Sequence, residues 1–368
     1  MNSHPHHPKI ALAHDWLVGM RGGERVLDRL ARLFGPTELY TLVDDENPLT
    51  DAISACDVIR SPLQQFPAAT MRWRRHYLPL MPWAVGRLRV KPCDLLISTS
   101  SAVMKSIAPP PSTPHLCYCH SPARYIWEQI ESYERGAGGL VRSAGLRCLR
   151  HWLQEWDRRT ADRVTKFLAN SHYTAQRIER YYGREADVVW PPVRTSWFTP
   201  DPAIRREDWF LVVGALEPYK RTDLAIELAN RTGLAFRVAG HGSQLKSLRA
   251  QAGPTVTMLG RVSDHMLRDL YRRARALIFP QMEDFGIIAV EAQATGCPVI
   301  ALRGGGVRDI VTETTGILFR EQTVDALADS VRQFGNSRFD PQSCRANALR
   351  FSETAFDEAI LKHVSEML

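Results

Sequence analysis

The sequence predicts an α/β protein built from two doubly wound domains, each a mainly parallel sheet with helices on both faces. Three observations carry that prediction. Short apolar runs alternate with amphipathic stretches from Lys9 onward, the pattern that repeated strand–helix–strand units impose. The alternation breaks once, at Trp190–Asp208, where four prolines fall within nineteen residues, and then restarts; such a stretch cannot hold regular structure and reads as a connection between domains. Glycine-rich or charged loops recur just after the apolar runs, where an open parallel sheet binds its ligand. A chain of 368 residues is also long for one core and suits two.

In the first half, KIALAH (9–14), TELYTL (37–42), DLLIST (94–99), HLCYCH (115–120), KFLANS (166–171) and DVVW (187–190) read as strands. Helices are expected at Gly22–Leu33, Gly145–Ala161 and Ser171–Tyr182, with Ser171 suited to an N-cap. After the proline-rich break come strand FLVVGAL, a helix from Lys220, strand AFRVAG, a helix near Leu245, strand TVTMLG and helix SDHMLRDLYRRA, for which Ser263 offers the N-cap. Strand ALIF ends at Pro280, helix IIAVEAQAT stops at Gly296, and strands PVIAL and GILF precede helices beyond Thr323.

The loops carry the chemistry. Glu283 and Glu291 stand eight apart around Asp284, Phe285 and Gly286. Glu283 falls in the loop at a strand's carboxyl end and Glu291 inside the next helix, whose start the Phe285 and Gly286 amides cap; phosphate binds readily at such a place. Gly19, Gly22 and Gly23 follow the first strand and allow close backbone approach before a helix. Their spacing is not G-x-G-x-x-G, which speaks against a dinucleotide fingerprint. Lys220 and Arg221 sit at a helix start, where cations can join amides in neutralising a diphosphate. Gly240 and Gly242 repeat the glycine loop, and His120 ends a strand before a Ser-Pro turn. Taken singly, each also fits a plainer reading: a surface acid, a solvated helix start, a structural histidine.

The totals narrow the class. The net charge of +7 lies entirely in the first half: 26 Lys+Arg stand against 19 Asp+Glu through Pro200, and the remainder balances at 21 each. Met71–Lys91 holds six basic residues and no acid among Trp73, Tyr77 and Trp83. That mixture suits an anionic lipid surface; nucleic acid and an ordinary solvated face over core aromatics are the rivals. No stretch approaches the roughly 18–20 apolar residues of a membrane span, and no apolar signal core is apparent. His4, His6 and His7 read as a disordered tail. Seven scattered cysteines show neither zinc spacing nor a disulfide framework, so a reducing cytoplasm is expected.

Taken in chain order, RGGERVL, CHSPARYIW, NSHYTAQRIERYYG, WPPV, PYKRTDLAI, GRVSDHMLRDLY, EDFGIIAVE and EAQATGCPVIA resemble glycosyltransferase family 4, the retaining nucleotide-sugar transferases of GT-B fold. The likeness covers nearly the whole chain and is most specific at the Glu-x7-Glu element. The branch it resembles is the bacterial mannosyltransferase-like one of surface polysaccharide synthesis.

The resemblance implies two facing Rossmann-like domains with a cleft between them: an acceptor domain over 1–190, a linker over 191–207, a donor domain over 208–350, and a C-terminal helix over 351–368 packing back on the first domain. It implies mannose transfer from GDP-mannose to a hydroxyl of a lipid-linked glycan, with UDP-glucose or another UDP-sugar as the alternative donor. A non-catalytic sugar-nucleotide-binding protein is the third reading.

By the same likeness His120 would sit beside the transferred sugar and donor phosphate. Glu283 would hold sugar hydroxyls, Lys220 and the Phe285 and Gly286 amides the diphosphate, and Glu291 the ribose. Arg261 and Val262 would lie along the base, with Gly240, Gly242 and Ile287 also in the donor site, and the Gly19, Gly22 and Gly23 loop would border diphosphate and acceptor. No metal or other cofactor and no nucleic acid partner is expected. The place implied is the inner face of the cell membrane, peripheral, from the cytoplasm. One departure stands out: Ala215 occupies a position where many members carry an Arg, and Arg221 is the nearest cation that can replace it.

Overall fold

The computed structural model describes residues 8–47, 49–67, 77–128 and 140–368. His4, His6, His7, Arg72, Arg74 and Arg75, on which the tail and part of the basic stretch rest, lie outside the described residues. The chain divides into two compact units: Met1–Trp190 with Asp357–Leu368, and Pro191–Phe356.

The first unit holds a seven-stranded parallel sheet of β1 (Ile10–Leu17), β2 (Glu38–Asp44), β3 (Asp57–Arg60), β4 (Leu95–Ser100), β5 (His115–Cys119), β6 (Lys166–Ala169) and β7 (Ala186–Val188). Its spatial order is β3-β2-β1-β4-β5-β6-β7. The second unit's six strands, β8 (Phe210–Val213), β9 (Phe236–Ala239), β10 (Val256–Gly260), β11 (Ala276–Phe279), β12 (Val299–Leu302) and β13 (Gly316–Phe319), run β10-β9-β8-β11-β12-β13, also all parallel. In both sheets the order reverses beside the first strand, between β1 and β4 and between β8 and β11. Those switch points open a crevice at the strands' carboxyl ends, where doubly wound sheets take ligands.

The central strands are buried on both faces, which is why they read as continuous apolar runs rather than alternating ones: every residue of β4, β5, β11 and β12 is buried. Ser171 and Ser263 cap the helices His172–Tyr182 and Asp264–Arg273 as expected, accepting from the Thr174 and Met266 amides at 3.1 and 3.2 Å. The long helix Leu140–Thr160 starts five residues before the expected Gly145. β3 was not foreseen: it is a four-residue edge strand with exposed ends and carries no apolar run.

The proline-rich stretch is part of the second unit and is bonded to it. Arg206 donates to the carbonyls of Tyr271 and Ala274 at 3.1 and 2.7 Å, and Arg272 to that of Thr199 at 2.8 Å. In the C-terminal helix Glu353–Ser365, Asp357 accepts from Arg29 Nε at 2.6 Å, and after it Glu366 pairs with Lys166 at 3.1 Å. Among the described residues no helix is long and apolar enough to cross a membrane.

The first unit also buries an ion pair. Lys105 lies 3.0 Å from Asp157, both essentially inaccessible. Asp157 Oδ2 also accepts from Trp127 Nε1 at 2.7 Å and the Tyr182 hydroxyl at 2.9 Å, while the Lys105 ammonium donates to the Asp157 carbonyl at 2.6 Å. A buried charge persists only when it is paired and hydrogen-bonded, and this one ties the end of the long helix to the turn after β4, to Trp127 and to the helix His172–Tyr182.

Candidate functional site

In the first unit the switch point gathers two histidines and two acids. β1 carries His14 and Asp15 near its carboxyl end. Asp15 accepts from the backbone N–H groups of Ser101, Ala102, Val103 and Met104 at 2.5–3.0 Å, satisfying the orphan donors of the turn after β4. His14 Nδ1 is 2.6 Å from Thr99 Oγ1, and its Nε2 lies 3.8 Å from Glu24. Burial pushes the Glu24 carboxyl up, but the hydrogen bond and charge of His14, with the amides of Glu24 and Arg21, outweigh it and leave the group below its ordinary range.

His120 completes the cluster from the end of β5. Its Nε2 is shut from solvent and, among the described residues, has no hydrogen-bond partner, and burial, then the neighbouring His14, lower its pKa to about 4 against the opposing pull of Asp15 and Glu24. The imidazole is therefore neutral near pH 7. Asn170 Nδ2 donates to the His120 carbonyl at 2.9 Å, and Arg177 to Ser121 Oγ at 3.0 Å, bracing the turn. Gly22 opens the helix Gly22–Phe34. A Cβ on Gly23 would lie 3.4 Å from His14 Cε1 and 3.5 Å from His120 Nε2, at ordinary contact, so the helix start packs directly over both rings. The structure thus brings Gly23 and His120 together; Gly19, at φ 114°, shapes the loop before them.

In the second unit the loops after β8 and β11 meet at the switch point. Lys220, in the turn Pro218–Lys220, pairs with the Glu283 carboxylate. Gln281 Nε2 donates to the same Glu283 oxygen at 3.2 Å. The Glu283 main chain is clamped from its other side by Gly304–Gly306: Gly306 N–H donates to the Glu283 carbonyl at 2.9 Å, and Glu283 and Gly305 form an isolated parallel bridge. A Cβ on Gly305 or Gly306 would lie only 2.1 or 2.2 Å from the carbonyl oxygens of Glu283 and Asp284.

Gly286, at φ 109°, turns the chain into the helix Ile287–Ala294, while Phe285 is buried edge-on against Phe351 at 5.6 Å. Glu291 is buried on that helix and accepts from the Tyr271 hydroxyl at 3.2 Å. Gly240 and Gly242 bring the loop after β9 onto the one after β8, since a Cβ there would meet the Gly214 and Leu216 carbonyl oxygens at 1.9 and 2.4 Å.

Three further expected donor residues make no hydrogen bond or ion pair with Lys220 or Glu283 among the described residues. Arg221 adopts a left-handed φ of 51°, and its guanidinium is engaged by Asp223 at 3.0–3.2 Å and Gln322 at 3.3 Å. Arg261 is exposed and Val262 half-buried just after β10, at the sheet's edge. Sequence reasoning missed His14, Asp15, Glu24, Gln281 and Gly304–Gly306. Among the described residues no group of three or more His, Cys, Asp or Glu is placed to hold a metal ion.

Two family models together match residues 20–351. One described as Glycosyltransferase Family 4 matches residues 20–197, and one described as Glycosyl transferases group 1 matches 195–351. A D-inositol 3-phosphate glycosyltransferase of Geodermatophilus obscurus is 33% identical over 205 residues, 47% of this chain and 45% of that protein. A GDP-mannose-dependent alpha-(1-6)-phosphatidylinositol monomannoside mannosyltransferase of Mycobacterium tuberculosis is 29% identical over 207 residues, 48% of this chain and 54% of that protein. The chain thus spans about half the length of these curated relatives. Anabaena HepE, solved in complex with UDP, matches with a TM-score of 0.71 at 15% identity over 97% of this chain and 100% of that one, a likeness of fold.

Proposed function

The chain belongs to glycosyltransferase family 4 and has the GT-B fold, and from that premise we propose that it transfers mannose from GDP-mannose to a hydroxyl of a lipid-linked glycan in cell-surface polysaccharide synthesis. The observation that carries the reading is the Lys220–Glu283 pair at the second sheet's switch point. It sets a cation for a diphosphate beside a carboxylate for sugar hydroxyls. The GDP-mannose-dependent relative supports the choice of donor.

In this reading Lys220 and the amides of Phe285 and Gly286 hold the diphosphate, and Glu283 accepts from hydroxyls of the transferred sugar. Glu291, oriented by Tyr271, accepts from the ribose. Ile287, Arg261 and Val262 face the nucleoside, and Gly240 and Gly242 allow the backbone its close approach. His120, neutral and with a free ring nitrogen, is assigned to a sugar hydroxyl or phosphate oxygen, and the Gly19, Gly22 and Gly23 loop to diphosphate and acceptor. With Ala215 in place of the usual Arg, Lys220 is the principal diphosphate cation, and Arg221 beside it is assigned as the second, exchanging Asp223 for the diphosphate.

The acceptor oxygen attacks the anomeric carbon on the face the diphosphate leaves. The glycosidic bond forms as the carbon–phosphate-oxygen bond breaks, and the acceptor's proton passes to the departing diphosphate, so the anomeric configuration is retained. Fixed donors around the developing charge supply the stabilisation, with no metal or other cofactor and no nucleic acid partner in the scheme.

Calorimetric titration with GDP, GDP-mannose, UDP and UDP-glucose, with and without chelator, tests this. Chelator-insensitive preference for GDP and GDP-mannose is expected; binding of neither nucleotide would overturn it. A UDP-sugar donor is the second reading, favoured by the UDP bound to the structural neighbour, and preference for UDP would select it. We further assign the basic first half to an anionic membrane surface on the cytoplasmic face: Trp83 is 43% exposed, Arg87 is exposed one turn on in the same helix, and Arg89 is exposed just after it. Sedimentation with anionic vesicles but not with duplex DNA is the expected result, and binding to neither would remove the assignment.

A further inference from the structure

Among the described residues the Glu283 side chain has two polar side-chain partners, and they differ in kind. Lys220 comes from a loop 63 residues earlier in the chain and follows β8, and its side chain is 13% exposed. Gln281 sits two residues before Glu283 on the same loop, is only 2% exposed, and donates its amide to the oxygen that Lys220 also contacts. The carbonyl of Glu283 is held by Gly306, which fixes its main chain whatever the side chain does.

A carboxylate and a diphosphate compete for one ammonium. Resting on the donor reading above, Lys220 must give up Glu283, wholly or in part, as a nucleoside diphosphate enters. The freed carboxylate would then swing among rotamers unless another donor held it, and ordering it again at each turnover costs side-chain entropy. We propose that Gln281 is the positioning residue that keeps the Glu283 carboxylate aimed when Lys220 exchanges it for the donor's diphosphate. Gln281, whose amide is already committed to the Glu283 carboxylate, acts through it. Its hold travels with the β11 loop, so the loss of Lys220 leaves it intact.

The exchange separates two affinities. Bare GDP needs Lys220 but gains nothing from a well-aimed Glu283, whereas GDP-mannose needs both. Gln281→Met, which keeps the chain length and removes the N–H, is therefore expected to leave the Kd for GDP within about twofold. It weakens GDP-mannose about tenfold, and slows release of free mannose from GDP-mannose to water by roughly ten- to a hundredfold, the range of one hydrogen bond to a charged group. Gln281→Asn retains an amide one methylene shorter and recovers part of that loss.

All three variants, with Glu283→Ala as the reference, are titrated as the full chain with GDP and GDP-mannose, or with UDP and UDP-glucose if those are the ligands. A Gln281→Met protein with wild-type sugar-nucleotide affinity and turnover, beside an inactive Glu283→Ala, overturns the proposal and leaves the donor reading standing. Equal losses for bare diphosphate and sugar nucleotide overturn it as well, because they mark a merely structural residue. If Gln281→Met does not fold, Gln281→Asn decides by the same split. Wild-type turnover in Glu283→Ala would remove the donor reading itself.

Discussion

Gly305→Ala is the substitution through which the fold's control of Glu283 is most directly measured. Gly305 has φ 72°, and a Cβ there would lie 2.1 Å from the Glu283 carbonyl oxygen and 3.1 Å from its carbonyl carbon and amide nitrogen. Two costs follow. Holding an Ala in the left-handed region costs about 1–2 kcal/mol. The steric clash is separate: the oxygen is more than an ångström short of ordinary contact, and both atoms belong to backbone, so no rotamer relieves it. The Glu283 main chain must retreat, which breaks the 2.9 Å bond from Gly306 at about 1 kcal/mol and carries the carboxylate away from Lys220.

A displacement near 1 Å at a reacting group costs on the order of a hundredfold in rate. We therefore expect Gly305→Ala to lose about 2–3 kcal/mol of stability and roughly a hundredfold in sugar release from the donor. Urea denaturation and a donor hydrolysis assay read the two effects. Gly233→Ala is the control: it has the same φ of 72° but nothing within 4 Å of its Cβ, so it carries the backbone strain alone and keeps donor turnover. Equal turnover in the two variants would refute the argument that the glycine loop sets the carboxylate.

Two further outcomes concern the first unit. Lys105→Met leaves Asp157 buried and without its cation, so urea denaturation should show a loss of about 3–5 kcal/mol, partly restored by adding Asp157→Asn; a change within about 1 kcal/mol would refute the pairing. Burial lowers His115 to about 3, and burial with the neighbouring His14 lowers His120 to about 4, whereas the unfolded chain titrates near 6.5. Below that value the unfolded state binds more protons, so this stability is fully present above about pH 6.5 and is lost as pH falls toward the folded values. His115→Gln should flatten the fall in urea midpoint between pH 6.5 and 4, and an unchanged slope would refute the assignment.

What the sequence showed of this fold depended on how locally each feature is encoded. The inner strands were legible because two-faced burial writes them as unbroken apolar runs. The edge strand Asp57–Arg60 writes no such run and was missed. The Glu-x7-Glu loop was legible as a spacing within one strand–helix step. By contrast, Asp15 looks like any acid in a strand; its role as acceptor for the Ser101–Met104 turn depends on a contact 86–89 residues away. Gly304–Gly306 reads as a turn, and only tertiary contact reveals that its missing side chains make room for Glu283. Lys105 reads as a surface cation and is buried. Arg221 was legible as the substitute for the cation absent at Ala215, whereas the ion pair that Asp223, two residues on, makes with its guanidinium was not.

The central claim is that Glu283 holds the donor sugar opposite Lys220. The direct measurement is release of free sugar from the preferred nucleotide sugar by Glu283→Ala, made alongside circular dichroism and the affinity for the bare nucleoside diphosphate. A native spectrum, retained diphosphate binding and sugar release at least a hundredfold slower are expected. Wild-type release by a folded Glu283→Ala protein would contradict the central claim.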